Sequence, residues 1–293
     1  MKKEVHLAIC CDDNYLVPAS ITIKSYFLHN RKYRTVCHTF SDSLNKQSVD
    51  TLTKLVEECG GELQVHALPK EAIEVINSAP LAWEYLSVTT YYRLMLPYVL
   101  GVDVQRVLYL DCDTMVRKDL SEYYFDENDF IIAGSRDLED YVHAERLGLS
   151  KYVNAGILVM DVKQIRTKYH QSGLIAEMSS MMNTMELKCG DQDMINIMFQ
   201  DKLHYFDDSF NFQHGVHKAY VLRHKKDVDD ATVVHFITGD KPWKPTYCFP
   251  YTGEYYHYLK KYLSAKEKIL YWVQKPIGLV MIVKKHADYT RNL

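Results

Sequence analysis

Two aspartates that stand one residue apart, Asp111 and Asp113, directly follow the apolar run 107–110. Two carboxylates so close together repel each other unless a cation lies between them, and hard oxygen ligands suit Mg²⁺ or Mn²⁺. The usual partner of such an ion is a diphosphate, whose negative charge the metal neutralises. An Asp-rich turn that only caps a helix is the alternative interpretation. The apolar segment before the pair favours the metal site.

A second segment with possible chemistry runs from His235 to Lys241. A histidine at the end of a strand can bind a metal through its neutral imidazole. A lysine six residues later can reach a phosphate as a point charge, and Gly239 between them allows close backbone approach. Taken alone, the segment is more typical of a packed histidine beside a surface lysine. Together with Asp111 and Asp113, it predicts a metal and phosphate site.

An acid–amide–acid run, Asp191, Gln192 and Asp193, opens a predicted helix. N-capping explains such a run by default. The same groups also offer the hydrogen-bond acceptors and donors that a polyol substrate needs. Asn154, in an Asn-Ala-Gly turn before a predicted strand, has the same two interpretations, a plain turn or a hydroxyl contact.

The elements that would position these residues alternate between strand and helix. The patterns predict strands over 5–10, 35–40, 63–68, 106–111, 130–134, 155–162 and 232–236. They predict a helix through Ile21, Ile23 and Phe27, and a helix through Val49, Leu52 and Val56 that ends at Gly60. Further helices are predicted over 86–100 with an interruption at Pro97, over 165–182 as one long helix, and over 191–199. Asp12 or Asp13 could cap the first helix. Alternation in the first seventy residues indicates a parallel sheet covered on both faces, whose ligands bind outside the carboxyl ends of the strands.

The composition excludes several classes of protein. The chain has 293 residues, 47% of them hydrophobic, with 35 Lys+Arg against 38 Asp+Glu and a net charge of −3. This balance argues against global disorder and against a broad nucleic-acid surface, which needs clustered positive charge. Seven cysteines without a Cys-x-x-Cys pair favour reduced thiols in a cytoplasmic enzyme. Because no apolar run is long enough for a signal peptide or a membrane span, we expect a soluble or surface-bound protein.

The charge is unevenly distributed along the chain. Residues 264–293 contain six Lys/Arg and two Asp/Glu, hence +4, which leaves −7 for residues 1–263. In the tail, basic residues interleave with apolar and aromatic ones, a pattern typical of an interfacial membrane segment. A closing helix packed on the core is the alternative, and Pro276 and Gly278 favour two short pieces over one long helix. We therefore divide the chain into a catalytic domain, 1–250, and a Tyr/Lys-rich extension, 251–293, with the protein peripheral at the inner face of the cell membrane.

The set of motifs, in this order, resembles glycosyltransferase family 8. The resemblance covers roughly residues 4–245 and rests on the segments 10–15, 87–94, 109–113, 154–156, 191–193 and 235–243. It implies an α/β fold of the GT-A type, a nucleotide-sugar-binding, Rossmann-like mixed sheet flanked by helices. It also implies Mn²⁺, with Mg²⁺ as a possible substitute, and a UDP-sugar donor.

The resemblance assigns roles residue by residue. It implies a metal site at Asp111, Asp113 and His235, with Cys112 between the two aspartates. The nucleotide site would comprise Asp12, Asn14 and Tyr15 for uridine, and Lys241 for the diphosphate. The hexose site would comprise Arg93, Asn154, Asp191 and Gln192, with Asp137 in a more weakly matching segment. One departure concerns the loop after the histidine, where the family often has glycine at the position of Thr238 and this chain has Gly239 one residue later.

The implied reaction is transfer of galactose or glucose to a glycan or lipid-linked saccharide acceptor, with retention of configuration, in cell-surface polysaccharide or lipopolysaccharide synthesis. Retention requires either a nucleophile on the opposite face or attack from the side of the leaving group. An amide oxygen is a poor nucleophile, so Gln192 favours same-side attack, with Asp191 as the alternative nucleophile.

Two other functions remain possible. Asp111, Asp113 and Thr114 also fit the Asp-x-Asp-x-Thr signature of haloacid dehalogenase-type phosphohydrolases. That motif normally follows the first strand, however, and Ile195 stands where the later acid is expected. A non-catalytic sugar-nucleotide-binding protein is the second alternative, against which the complete metal set argues.

Overall fold

The structure is a computed structural model that describes residues 2–79, 87–214, 229–237, 239, 241–245, 247 and 251–274. The first part of the chain alternates strictly between strand and helix, as the sequence predicts. Its elements are β1 (Glu4–Ala8), a 3-10 turn (Asp13–Tyr15), α1 (Leu16–His29), β2 (Arg34–Phe40), α2 (Lys46–Glu58), β3 (Glu62–His66) and α3 (Lys70–Asn77).

Local capping sets the bounds of these helices. The Asn45 side chain accepts the backbone N–H of Ser48 at 3.0 Å and begins α2. Gly60, with a φ of +85°, follows the end of α2 in a conformation that few residues other than glycine adopt. Asp12 accepts the backbone N–H groups of Asn14 and Tyr15 and so caps the 3-10 turn that leads into α1. The prediction that an aspartate caps α1 itself is wrong, since that helix follows Tyr15 without a side-chain cap.

The middle of the chain carries short elements around the site. They are a 3-10 helix (Val88–Met95), α4 (Leu96–Val99), β4 (Arg106–Leu110), β5 (Thr114–Val116), α5 (Ser121–Tyr124), β6 (Ile132–Gly134), α6 (Asp140–Leu147) and β7 (Ile157–Asp161). The prediction of one helix interrupted at Pro97 is wrong in detail. Pro97 lies in the first turn of α4, where its missing N–H has no intrahelical acceptor to serve.

The remaining elements complete the fold. They are α7 (Val162–Lys168), α8 (Gln171–Thr184), α9 (Asp191–Met198), a 3-10 turn (Gln200–Lys202), β8 (Leu203–Tyr205), β9 (Phe212–Gln213), β10 (Val233–His235), α10 (Thr252–Leu259) and α11 (Ala265–Val273). The single long helix predicted over 165–182 is two helices, because Tyr169 and His170 adopt extended backbone angles between α7 and α8. No helix in the described ranges is both long enough and apolar enough to span a bilayer.

A seven-stranded sheet in the order β3-β2-β1-β4-β7-β6-β8 forms the centre of the fold. The strands β3, β2, β1 and β4 are parallel, whereas β7 runs antiparallel to β4 and β6. The sheet is therefore mixed, and its first three strands are parallel as predicted. A smaller sheet has the order β5-β10-β9, with β5 and β10 antiparallel.

Both faces of the large sheet are covered. Along β4, Val107 and Tyr109 pack in one hydrophobic cluster, and Leu108 and Leu110 pack in the cluster on the opposite face. Burial on both faces explains why β4 is apolar throughout. A third cluster joins α10 and α11 to the small sheet through Tyr255 and Tyr271, among others.

Candidate active site

A cavity of about 500 Å³ opens at the carboxyl ends of β1 and β4. Thirteen of the fourteen residues predicted for the site line it. They are Asp12, Tyr15, Arg93, Asp111, Cys112, Asp113, Asp137, Asn154, Asp191, Gln192, His235, Gly239 and Lys241. The exception, Asn14, is exposed and does not belong to the cavity wall.

Strand pairing brings the two ends of the predicted metal site together across more than a hundred residues. The chain leaves β4 at Leu110, and β5 begins three residues beyond Asp111. In the small sheet, His235 of β10 lies opposite Thr114 of β5. The backbone N–H of Phe236 also donates to the carbonyl oxygen of Asp113 at 3.0 Å. His235 is therefore held beside the two aspartates by backbone hydrogen bonds.

Asp111, Asp113 and His235 form a cluster whose possible ligand atoms lie within 4.8 Å of one another. The Nε2 atom of His235 is 3.3 Å from Oδ1 of Asp113 and 3.8 Å from Oδ2 of Asp111. Atoms at these separations can share one ion with bonds of about 2.0–2.2 Å. The chemistry and spacing of the donor set therefore fit a divalent cation.

Lys241 adds a positive charge to the edge of this cluster. Its Nζ lies 2.5 Å from Oδ2 of Asp113 and 2.6 Å from the carbonyl oxygen of Phe236, and the residue is 5% exposed. Burial alone would raise the pKa of Asp113, but Lys241 and His235 lower it by more, so its pKa lies below the ordinary value. A buried lysine beside an acidic pair is well placed for a phosphate group.

Arg93 links the metal cluster to α9. Its buried guanidinium lies 3.2 Å from Oδ1 of Asp111 and 2.9 Å from Oδ2 of Asp191. Its Nη1 donates to the carbonyl oxygen of Ala155, and its Cζ is 4.5 Å from the centre of the Tyr109 ring. Burial would lower the pKa of Arg93, but the carboxylates of Asp111 and Asp191 raise it by more. The pKa therefore lies above its ordinary value, and the guanidinium stays charged.

Asp191 is a buried carboxylate at the start of α9. Gly190 precedes it with a φ of +56°, and a Cβ at that position would lie 3.0 Å from the Tyr91 hydroxyl. Among the described residues, Oδ2 of Asp191 has no hydrogen bond, because the Nε–H of Arg93 is directed to Thr90. Burial raises the pKa of Asp191 to about 6. Asp191 therefore adds a buried carboxylate, paired with Arg93, to this wall of the cavity.

Amide side chains form a network on the same wall. Gln192 accepts the backbone N–H of Ala155 at 2.9 Å and donates to Oδ2 of Asp137 at 3.2 Å. Asn154 donates to the same Asp137 oxygen at 2.9 Å. Asp137, predicted from the most weakly matching segment, thus contacts two of the other predicted residues. The third member of the acid–amide–acid run, Asp193, is instead fully buried in a bidentate pair with Arg146.

Tyr15, Cys112 and Gly239, predicted for the nucleotide part of the site, have different surroundings. The ring of Tyr15 stands edge-on to Trp243, with 5.6 Å between ring centres. The thiol of Cys112 donates to the carbonyl oxygen of Cys10 at 3.2 Å and is buried, so it faces the strands. Gly239 lines the cavity, whereas Thr238 lies outside the described residues.

Two residues that support His235 were not singled out from the sequence. The Oδ1 atom of Asn211 lies 3.1 Å from Nδ1 of His235, and its Nδ2 atom donates to Asn154. Gly156 lies directly under the imidazole, since a Cβ there would be 2.1 Å from Cε1 of His235. The signal for Asn211 is its position as a buried polar residue between Phe210 and Phe212.

Two relatives with similar sequences are described as glycosyltransferases. GlyF of Streptococcus pneumoniae, described as a glycosyltransferase, is 27% identical over 98% of this chain and 65% of its own length. The chain thus spans slightly less than two thirds of that relative. The lipopolysaccharide 1,3-galactosyltransferase of Salmonella typhimurium is 25% identical over 84% of this chain and 74% of its own length.

Solved structures show the fold. The galactosyltransferase LgtC, crystallised with donor and acceptor sugar analogues, aligns with a TM-score of 0.75 at 21% identity, over 91% of this chain and 100% of that one. GlyE of Streptococcus pneumoniae aligns with a TM-score of 0.64 at 20% identity, over 94% of this chain and 64% of that one. The predicted GT-A fold is confirmed.

The sequence comparison settles the family. The model of glycosyl transferase family 8 matches residues 6–246, a span that contains every residue of the predicted site. Because this match covers well over half of the chain, the protein belongs to glycosyl transferase family 8.

Proposed function

We propose that this chain transfers a hexose, galactose or glucose, from a UDP-sugar to a glycan or lipid-linked saccharide in the synthesis of a cell-surface polysaccharide or lipopolysaccharide. The observation that carries the proposal is that groups suited to a diphosphate and groups suited to a sugar line the same cavity. The cluster of Asp111, Asp113 and His235 and the buried Lys241 suit a diphosphate. The amides of Asn154 and Gln192, which line the cavity beside Asp137, suit the hydroxyl groups of a sugar. The named lipopolysaccharide galactosyltransferase relative supports the same substrate class.

Asp111, Asp113 and His235 would hold the divalent ion. Two carboxylates and one imidazole suit Mn²⁺ better than Mg²⁺, which strongly prefers oxygen ligands. When bound, the ion supplies positive charge that stabilises the diphosphate as it leaves. Lys241, only 2.5 Å from Asp113, adds a second positive charge where the negative charge develops.

The reaction breaks the bond between the sugar C1 and a phosphate oxygen, and it forms a bond between C1 and an acceptor oxygen. In our proposal the acceptor attacks from the side of the leaving group, which retains the configuration at C1. A phosphate oxygen of the departing UDP takes the acceptor's proton. Gln192 suits an orienting role, since its Oε1 already accepts the N–H of Ala155.

Asp191 is the alternative nucleophile. With a pKa raised to about 6 by burial, it is mostly ionised at neutral pH and could attack C1 from the opposite face. Mass spectrometry of the protein after incubation with a donor distinguishes the two routes. A hexose covalently attached to Asp191 would overturn same-side attack.

The function is tested by measuring UDP release from UDP-glucose and UDP-galactose in the presence of Mn²⁺, with and without EDTA. We expect release from at least one donor and its loss with EDTA. Asp113→Asn should lower release by about 100-fold, because it weakens the binding of the ion that stabilises the leaving group. Asp201→Asn, at an exposed aspartate outside the cavity, is the matched control and should have no effect.

The same assay distinguishes the alternatives. Absence of turnover with either donor would contradict the proposal and support a non-catalytic binding protein. Release of phosphate from p-nitrophenyl phosphate would support a phosphohydrolase. The match to glycosyl transferase family 8 does not favour that alternative.

We further propose that the extension, 251–293, docks on the inner face of the cell membrane. On α11, Ile269, Trp272 and Val273 are 65%, 49% and 63% exposed, beside Lys266 and Lys268 on the same helix. Exposed apolar and aromatic groups next to lysines suit an anionic lipid surface. Residues 275–293, with the predicted break at Pro276 and Gly278, lie outside the described residues.

Point substitutions test this docking better than truncation. Tyr271 of α11 is buried and donates to the carbonyl oxygen of Pro242, so deletion from Ala265 onward would open the third cluster. The triple variant Ile269→Ser, Trp272→Ser and Val273→Ser should bind vesicles of anionic lipid more weakly and release UDP at an unchanged rate. Val102→Ser, at a residue 90% exposed, is the control. Unchanged vesicle binding by the triple variant would contradict the docking, and loss of UDP release would show that these three side chains support the catalytic domain instead.

A further inference from the structure

We propose that Asn211 is a positioning residue that selects the ring nitrogen of His235 available to the metal ion and couples it to the amides on the hexose side of the cavity. This inference rests on the proposed metal-dependent function. Its starting point is one contact, since Nδ1 of His235 lies 3.1 Å from Oδ1 of Asn211. An amide oxygen only accepts, so Nδ1 carries a proton, and Nε2 is the ring nitrogen left to bind an ion.

The orientation of the Asn211 amide follows from groups whose roles are fixed. The backbone N–H of Gly156 can only donate, and it donates to Oδ1 of Asn154 at 3.0 Å. That oxygen also accepts from Nδ2 of Asn211 at 2.9 Å. At the other end, Nδ2 of Asn154 donates to Oδ2 of Asp137, an oxygen that also accepts from the amide of Gln192. Both ends therefore require the Asn211 oxygen to face His235.

The position of the imidazole is fixed as well as its protonated nitrogen. Asn211 and His235 are 2% and 4% exposed, so neither exchanges its partner readily for bulk water. The ring lies against Gly156, where a Cβ would approach Cε1 to 2.1 Å. With Nδ1 bound to Asn211, Nε2 is directed at the aspartates, 3.3 Å from Oδ1 of Asp113. The same arrangement of a hydrogen-bonded outer nitrogen and a ligating inner nitrogen is general for histidines in metal sites.

The hydrogen bonds continue from the metal cluster to the hexose side. They run from His235 through Asn211 and Asn154 to Asp137, which also accepts from Gln192 at 3.2 Å. Along this series of hydrogen bonds, each asparagine accepts on the His235 side and donates on the Asp137 side. Reversal of one amide would place two like groups face to face at the next contact. Asn211 thus ties the state of the metal ligand to the side chains proposed to contact the sugar.

The test uses the full chain with two substitutions of Asn211. Asn211→Leu removes both hydrogen bonds, whereas Asn211→Asp keeps an acceptor for Nδ1 of His235 and replaces the donor to Asn154 by a second acceptor. The first readout is the tautomer of His235 in ion-free protein, from long-range ¹H–¹⁵N NMR of histidine-labelled samples. His235→Gln identifies its signal among the 13 histidines. The second readout is the affinity for Mn²⁺ alone, from the paramagnetic resonance of the free ion.

We expect wild type and Asn211→Asp to show the proton on Nδ1, and Asn211→Leu to show a mixture of tautomers. Mn²⁺ affinity should fall about 10- to 100-fold in Asn211→Leu, the usual effect of losing such a support, and should be largely retained in Asn211→Asp. A folded Asn211→Leu protein with the wild-type tautomer and affinity would overturn the proposal. If wild type binds no Mn²⁺, the proposed function fails, and the tautomer of the ion-free protein still decides the role of Asn211.

A matched control separates positioning from stability. Asn30 is also buried and also makes two hydrogen bonds, to the carbonyl oxygen of Tyr26 and from the N–H of Leu120, but it does not line the cavity. Asn30→Leu should lower the free energy of unfolding and leave the Mn²⁺ affinity unchanged. An equal loss of affinity in Asn30→Leu would show that the effect of Asn211→Leu is only a loss of stability.

Discussion

The hydroxyl of Tyr109 donates a hydrogen bond to Oδ1 of Asp111 over 2.6 Å. The two residues stand at the end of β4 and just beyond it, and the tyrosine is almost completely buried. Arg93 approaches the same oxygen at 3.2 Å, so the other oxygen, Oδ2, remains on the side of His235. The tyrosine therefore orients the carboxylate of Asp111.

Tyr109→Phe should weaken Mn²⁺ binding. The change removes one hydroxyl and keeps the ring, so Asp111 loses part of the support for its orientation. We expect about a 10-fold lower affinity, and a free energy of unfolding lower by about 1–3 kcal/mol. Titration of Mn²⁺ and urea unfolding measure the two effects. Tyr123→Phe is the control, because the Tyr123 hydroxyl donates to Asp207 at 2.8 Å away from the cavity. Equal affinity in the two variants would contradict the role of Tyr109.

Arg93→Ala should be strongly destabilising. It would leave Asp111 and Asp191 without the buried cation that lies between them, and breaking a buried pair of this kind costs about 3–5 kcal/mol. Urea unfolding should show the loss, and addition of Asp191→Asn should restore part of it by removing one of the two charges. Arg34→Ala is the comparison, since that side chain is 59% exposed and its surface pairs contribute about 0–1 kcal/mol. Similar losses in the two single variants would contradict the prediction.

The sequence predicts much of the site because its carboxylates and histidine stand in local motifs. Asp111 and Asp113 follow an apolar strand, and His235 ends another, so their types and places in the fold are visible in the chain. What brings them together is the pairing of β5 with β10, and no local pattern encodes which strands pair. The antiparallel direction of β7 follows from the same kind of long-range pairing, and only the family resemblance indicated a mixed sheet.

Other parts of the site could not be predicted for physical reasons. Asn211 gains its role from a contact 24 residues away in sequence, and a single buried asparagine gives no periodic signal. The division of the helix predicted over 165–182 depends on extended backbone angles at Tyr169 and His170. Neither residue type is a helix breaker, so the sequence does not show this division. The role of Lys241 was suggested by its spacing from His235 and by the family resemblance, while its 2.5 Å contact with Asp113 depends on the fold of the loop after β10.

Gly156→Ala should impair metal binding through sterics. A methyl group at this position would lie 2.1 Å from Cε1 of His235, far inside van der Waals contact, so the imidazole must move away from the aspartates. We expect about a 10-fold or greater loss of Mn²⁺ affinity, measured by titration. Gly173→Ala in α8 is the control, because a Cβ there meets nothing within 4 Å. Alanine favours helix over glycine by about 0.5–1 kcal/mol, so this control should be slightly stabilised. Wild-type affinity in Gly156→Ala would contradict the fixed position of His235.

Three histidines form a ladder across β1, β2 and β3. Nδ1 of His6 lies 3.0 Å from Nε2 of His38, and Nδ1 of His38 lies 3.0 Å from Nε2 of His66. Burial lowers the pKa of all three, and the two neighbouring rings help to lower that of His38 to about 3. Glu4, 3.3 Å from His6, and the more distant Asp103 oppose the shift at that end of the ladder, whereas Arg34 adds to it.

The ladder predicts that the protein loses stability in mild acid. Because each histidine binds a proton less readily in the folded state than in the unfolded state, protonation favours unfolding, and stability falls as the pH drops from about 6.5 towards 3. Between pH 7.5 and 5.5, His38 alone should account for a loss of about 1–1.5 kcal/mol, measured by urea unfolding at the two pH values. His38→Gln cannot titrate, so the difference between the two pH values should shrink by about this amount relative to wild type. His257→Gln, at an exposed histidine of α10, should leave the difference unchanged. An undiminished difference in His38→Gln would show that the ladder does not control the acid sensitivity.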